Sequence, residues 1–168
     1  PLSAAEVLEE LAPGVATRGV KHAVPRSLID RREPLAQATA AIRALVEGRP
    51  GPRAINLVGP RGSGRTRFLR ELMWAAQAAC PTVEVFAPSP DAMTRALEIA
   101  TDREELPAGV LGAVAAHEAL TASGLPLVMV IDDAERLGSE QREILATFER
   151  SIAPGDAILL VRTHTTGD

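Results

Sequence analysis

Gly59-Pro60-Arg61-Gly62-Ser63-Gly64-Arg65-Thr66 is the stretch on which the fold of this chain turns. It reads glycine, four residues, glycine, a basic residue and a hydroxyl residue, the spacing of a phosphate-binding loop with arginine in the usual place of lysine. Glycines at these positions let successive backbone N–H groups turn inward around phosphate oxygens, where a side chain would block the approach. The apolar run Ile55 to Val58 precedes the loop, and an amphipathic segment with Phe68, Leu69, Leu72, Met73 and Ala76 on one side follows it. The loop is therefore expected to join a strand to a helix and to present an anion to the positive end of the helix dipole. With glycine near 7% of residues, the pattern arises by chance in about one chain in a hundred of this length. A glycine-rich structural turn is the alternative. Arg65 keeps the positive charge, but its planar fork is bulkier than the compact ammonium of lysine.

Downstream, short apolar runs alternate with helical periods. Val83 to Ala87 reads as a second strand, Asp91 to about Ser123 as a helical region broken near Pro107 and Gly109, and Leu127 to Ile131 as a third strand. Ser139 to Ile152 reads as a helix with Ile144, Leu145, Phe148 and Ile152 inward, and Ala157 to Val161 as a fourth strand. Continuous apolar strands alternating with amphipathic helices indicate an α/β fold, a parallel sheet covered on both faces. Upstream, Leu35, Ala38, Ile42, Leu45 and Val46 recur at helical spacing until Gly48, and Pro50, Gly51 and Pro52 mark a turn. Residues 12–27, with Pro13, Gly14, Gly19 and Pro25 and no apolar period, read as a linker and domain boundary. Ser3 to Leu11, with Ser3 and Glu6 at capping-box spacing, reads as a short helix. Residues 1–11 are thus expected to close a preceding domain, and residues 28–168 to form the α/β domain.

The third strand ends in Asp132-Asp133, about 65 residues after the loop. Ligands gather at the carboxyl ends of parallel strands. Asp132, at the strand tip, would hold Mg²⁺ together with Thr66, and Asp133 would orient an attacking water. A solvated strand end or helix cap is the bland alternative. Arg162, Thr163 and His164 follow the fourth strand, and Arg162 is the one chosen to sense a terminal phosphate because a guanidinium best recognises phosphate. The nucleotide contacts are expected from Gly59, Pro60, Arg61, Gly62, Ser63, Gly64, Arg65, Thr66 and Arg67. His22, His117 and Cys80 show no partner pattern and are assigned no role.

The chain has 168 residues, 18 basic and 22 acidic, for a formal charge of -4, with 46% apolar and 24% charged residues. That is an ordinary globular balance, and a chain of this size buries roughly two thirds of its unfolded surface without disulfides or metals. No apolar run approaches the roughly 18 residues of a membrane span, which excludes a membrane-spanning helix. Phe68, Phe86, Phe148 and Trp74 are the only aromatics, and with an acidic net charge they disfavour direct nucleic-acid binding. The lone Cys80 and the lack of a charged-then-apolar leader point to the cytoplasm. Opening on Pro1 and ending at Asp168 soon after an apolar run, the sequence reads as part of something longer.

Leu28-Ile29-Asp30-Arg31-Arg32-Glu33-Pro34-Leu35 resembles the entry motif of AAA+ and STAND signalling ATPases, with Asp30 in place of the motif's glycine. Ile55 to Leu72 resembles their Walker A strand, loop and helix, and Val130 to Leu137 their Walker B segment. The resemblance covers residues 28–164. It implies a three-layer P-loop NTPase sandwich of the ASCE type, with strand order 5-1-4-3-2, in which the acidic strand does not neighbour the loop strand. It also implies ATP and Mg²⁺ as cofactors, a regulatory role as switch or slow ATPase, and a lid and fifth strand encoded after Asp168, through which protein partners or self-association would act. Pro1 to Leu8 resembles the last helix of a bacterial serine/threonine protein kinase, which implies a kinase fused to a STAND-type ATPase. The rival functions are a degenerate loop kept as a nucleotide-independent scaffold, with Arg65 as the lesion, and a small-molecule kinase, which would need a basic lid absent from these residues.

Overall fold

The computed structural model describes residues 31–85 and 89–166. The expected terminal helix of residues 1–11, the linker and the start of the entry motif lie outside them. The elements follow the order α1 (Arg32–Val46), β1 (Ala54–Gly59), α2 (Arg65–Gln77), β2 (Thr82–Val85), α3 (Ala92–Thr101), α4 (Val110–Ser123), β3 (Leu127–Ile131), a 3₁₀ turn (Ala134–Arg136), α5 (Ser139–Ser151) and β4 (Ile158–Thr165). All pairings are parallel and the sheet order is β1-β4-β3-β2. β4 therefore stands between the loop strand and the acidic strand, as the implied order requires. β1 is an edge strand among the described residues, and its Val58 is 61% exposed.

Strand alternation divides the apolar residues between two cores. Ile55, Leu57, Val128, Val130, Leu159 and Val161 face α1 and α2, packing on Ile42, Leu45, Phe68 and Leu72. Val83, Val85, Met129, Ile131, Ile158 and Leu160 face α3, α4 and α5, packing on Met93, Leu97, Leu120, Ile144 and Phe148. The three layers follow from that alternation. β3 lies in the middle, and every residue of it is buried, which explains its unbroken apolar run. Each fully buried side chain of this size contributes about 1.5–3 kcal/mol.

β2 is described over Thr82–Val85, and positions 86 and 87 of the expected strand lie outside the described residues. One strand boundary departs from expectation. β4 runs to Thr165 rather than stopping at Val161, because β1 offers partners along its whole length, from Ala54 opposite Leu160 to Gly59 opposite Thr165. Polar side chains do not end a strand when a neighbouring backbone continues the ladder. The helical region before β3 breaks as expected. α3 closes on Asp102 in the left-handed conformation, and α4 starts after Gly109.

Candidate functional site

The loop after β1 turns at two glycines with positive φ, Gly62 at 76° and Gly64 at 81°, a conformation other residues adopt only with strain. Pro60 O accepts from Ser63 N–H at 3.2 Å, closing the turn, and Arg31 donates a hydrogen bond to Ser63 O. α2 begins immediately, its first internal bond running from Phe68 N–H to Gly64 O at 3.0 Å. The N–H groups of Arg65 and Thr66 thus have no acceptor inside their own helix and face outward at its positive end. A Cβ on Gly59 would come within 3.0 Å of Ser63 Oγ and 3.9 Å of Arg65 Cδ, so both side chains crowd over this glycine.

Arg65 does not extend into solvent. Its side chain is 10% exposed, with NH2 donating to Thr165 Oγ1 at 2.8 Å and lying 3.6 Å from Asp133 Oδ1. Its other terminal nitrogen, NH1, is buried without a partner, as is Ser63 Oγ, and no other buried side-chain polar atom among the described residues lacks one. Unmade hydrogen bonds of this kind cost about 1–3 kcal/mol each, more for a charged group. Their coincidence beside a glycine turn and a helix N-terminus is what an anion-binding site requires.

Across the sheet edge, Asp132 and Asp133 are held by Thr163. The fully buried Thr163 hydroxyl donates to Asp132 Oδ1 at 2.6 Å and accepts from Asp133 N–H at 2.7 Å. Asp133 N–H also reaches Asp132 Oδ1 at 3.1 Å. Asp133 itself has φ 49°, a left-handed conformation that this hydroxyl helps to stabilise. Both bonds to Asp132 fall on Oδ1, which fixes the carboxylate and leaves Oδ2 outside them. Thr66, Asp132 and Asp133 line one cavity of about 240 Å³, with Arg70, Glu84 and Arg136 around it. A larger hollow of about 660 Å³ between α3 and the β2 edge shares Glu84 but contains no loop residue, so size alone does not mark the site.

Glu135 completes the edge. Its Oε1 accepts from Thr165 N–H at 3.1 Å. Burial works against its charge, but the Thr165 hydrogen bonds and the nearby Arg65 outweigh it and hold the carboxyl below its ordinary value.

Residues 27–161 match the AAA ATPase domain family. The chain belongs to that family. The fold of this AAA ATPase domain is similar to that of Cdc6p from Pyrobaculum aerophilum, with a TM-score of 0.65 and 22% identity over 85% of this chain and 41% of that one. C. elegans PCH-2 gives a TM-score of 0.47 and 16% identity over 80% of this chain and 37% of that one. The domain spans about two fifths of the length of these solved structures. No curated protein matches it.

The structure gathers most of the expected residues of the AAA ATPase domain and separates one. Gly59 to Thr66 form the turn and helix start, Pro60 and Arg61 are exposed on the loop, and Arg67 lies in the first turn of α2. Arg162 is not with them. It pairs with Asn56, well before the end of β1, and its side chain lies on the α5 face of the sheet, making a bidentate ion pair with Glu149 at 2.8 and 3.0 Å and a hydrogen bond to Asn56 Oδ1 at 2.5 Å. Strand alternation turns Arg162 away from α2 and turns Thr163 toward it. Thr163, weighed beside Arg162 in the sequence, is the residue that touches the acidic pair, and inward alternation with Val161 and Leu159 was the signal that could have found it.

The site fits a nucleotide with a divalent cation. The two unpartnered donors and the left-handed glycines suit phosphate oxygens, and the Thr66 hydroxyl with the Asp132 carboxylate is a hard oxygen donor set of the kind Mg²⁺ takes. Among the described residues no group of three or more His, Cys, Asp or Glu could hold a metal alone. None of the described helices is long and apolar enough to cross a membrane.

Proposed function

We propose that this domain binds ATP with Mg²⁺ and serves as a nucleotide switch or slow ATPase within a multidomain bacterial signalling protein of the cytoplasm. The observation that carries the proposal is the pairing of unpartnered Ser63 Oγ and Arg65 NH1, whose side chains crowd Gly59, with Thr66, Asp132 and Asp133 on the adjoining cavity. In this assignment the backbone from Gly59 to Arg67 cradles the phosphates, and Arg65 adds a charge-assisted contact to the terminal ones. Thr66 and Asp132 would hold the cation, Asp133 would orient water, and Thr163 fixes the Asp132 carboxylate and the Asp133 backbone. Mg²⁺ supplies neutralisation of the charge that gathers on the phosphates. The kinase-like stretch at Pro1 to Leu8 supports a serine/threonine kinase as the preceding domain, and the partly exposed β1 edge supports partner contact or self-association.

Arg65 favours a second reading. Its guanidinium is already engaged by Thr165 and Asp133, as it would be in a scaffold that no longer binds nucleotide. Calorimetric titration with ATP and with ADP, on the wild type and on Arg65→Lys, separates the two. The switch predicts binding of both nucleotides by the wild type. A wild type without binding at millimolar ATP, and an Arg65→Lys variant that creates none, would establish the scaffold.

A further inference from the structure

The side chain that replaces the loop lysine is held from outside the loop. Thr165, the last residue of β4, sits opposite Gly59 in the ladder, and its hydroxyl accepts from Arg65 NH2 at 2.8 Å. Its own N–H is fixed by Glu135 Oε1 at 3.1 Å, and the next residue, Thr166, donates to Gly59 O at 3.1 Å. Thr165 is therefore anchored on both sides and cannot follow Arg65 if the guanidinium moves. The hold is incomplete: Asp133 Oδ1 lies 3.6 Å from NH2, beyond good hydrogen-bond length, and NH1 has no acceptor at all. A guanidinium with a buried, unmade bond gains by moving to an acceptor that can take both nitrogens, and a phosphate does so in a bidentate manner.

We infer that Thr165 is a specificity-determining residue of this site: its hydroxyl competes with the terminal phosphate of a nucleoside triphosphate for Arg65, and so sets the preference between triphosphate and diphosphate. This rests on the nucleotide reading above. A triphosphate must displace the Arg65–Thr165 bond, which tethers the loop helix to the end of β4. A diphosphate, held by the loop backbone, leaves it in place. Occupancy by a triphosphate is thereby transmitted to the end of β4 through the loss of one hydrogen bond.

The test uses calorimetric titration of Thr165→Val and Thr165→Ser with ATP and with ADP, beside the wild type. Valine keeps the size and strand preference of threonine and removes the acceptor; serine restores it. Thr165→Val should bind ATP about tenfold more tightly than the wild type, as expected when a competing bond to a charged group is removed, with ADP unchanged within about twofold. Thr165→Ser should return both affinities to the wild-type values. A purely structural role for Thr165 would weaken ATP and ADP together, and that result overturns the inference. So does ATP binding that is indifferent to valine, which would leave the nucleotide reading standing. Failure of the wild type and both variants to bind any nucleotide would overturn the inference and the nucleotide reading together.

Discussion

The two ends of the sheet treat their buried polar groups in opposite ways. At the amino end, Asp156, just ahead of β4, accepts from His117 Nε2 at 2.8 Å and from Ala153 N–H at 2.6 Å, and Arg53 bonds Pro154 O at 3.1 Å. His117 also packs edge-on against Phe148, with ring centroids 6.4 Å apart. At the carboxyl end, Ser63 Oγ and Arg65 NH1 are buried with nothing to bond. One end is closed by its own side chains and the other is left needing an external acceptor. Polar satisfaction is the general rule for protein interiors, so its local failure, placed beside a glycine turn, marks where binding takes the place of stability.

The largest expected effect at the closed end is on folding. Asp156→Ala removes the acceptor of two bonds and should lower stability by about 3 kcal/mol, measured by denaturant unfolding, while leaving nucleotide affinity unchanged within about twofold. Loss of nucleotide binding without loss of stability would erase the distinction between the ends. The converse applies at the open end. Arg65→Ala should weaken ATP by about ten- to a hundredfold, and more than ADP, because a charge-assisted hydrogen bond is worth roughly 1.5 to 3 kcal/mol. Its stability should stay at or above wild type, since the substitution removes a buried nitrogen without a partner. A strongly destabilised Arg65→Ala would mean that the carboxyl end is built for structure as well.

Acid sharpens the comparison further. Burial opposes the Asp156 charge, but His117 and the Ala153 N–H outweigh it and hold the carboxyl below its ordinary value. A carboxyl depressed in the folded state contributes stability above its unfolded pKa, near 4, and loses it as the pH falls through the folded pKa. Wild-type stability should therefore decline with falling pH from about 4 downward, and Asp156→Asn should show a shallower decline in the same window. Equal slopes in thermal melts across that range would remove Asp156 from the acid response. The smallest effect concerns the β1 edge, where exposed strand edges pair with other chains. Val58→Lys should reduce concentration-dependent self-association in sedimentation, and a wild type that stays monomeric at high concentration would count against the open edge.

The fold was legible because its signals are local. The glycine spacing called for a loop whose backbone turns inward without obstruction, and there Gly62 and Gly64 take positive φ; the unbroken apolar run Leu127 to Ile131 is the fully buried strand. Arg162 misled because composition at a strand end says nothing about which face a residue takes. The β1 ladder extends the strand past it, and alternation delivers it to Glu149. The partnership of His117 with Asp156 could not be read at all, since it joins residues 39 apart that only the packing of α4 on the sheet brings together. The same holds for Arg65 and Thr165, separated by 100 positions. Motifs announce the residues that approach a ligand, but the residues that hold them in place are chosen by the fold.

The central claim is that the carboxyl end binds ATP with a cation held by Thr66 and Asp132. Calorimetric titration of the wild type and of Asp132→Ala with ATP, each with and without Mg²⁺, addresses it directly. The wild type should bind ATP more tightly with Mg²⁺ than without, and Asp132→Ala should bind with an affinity that no longer depends on the metal while keeping the wild-type fold by circular dichroism. A wild type that binds no ATP at millimolar concentration, or an Asp132→Ala variant with the full metal dependence, would contradict the account.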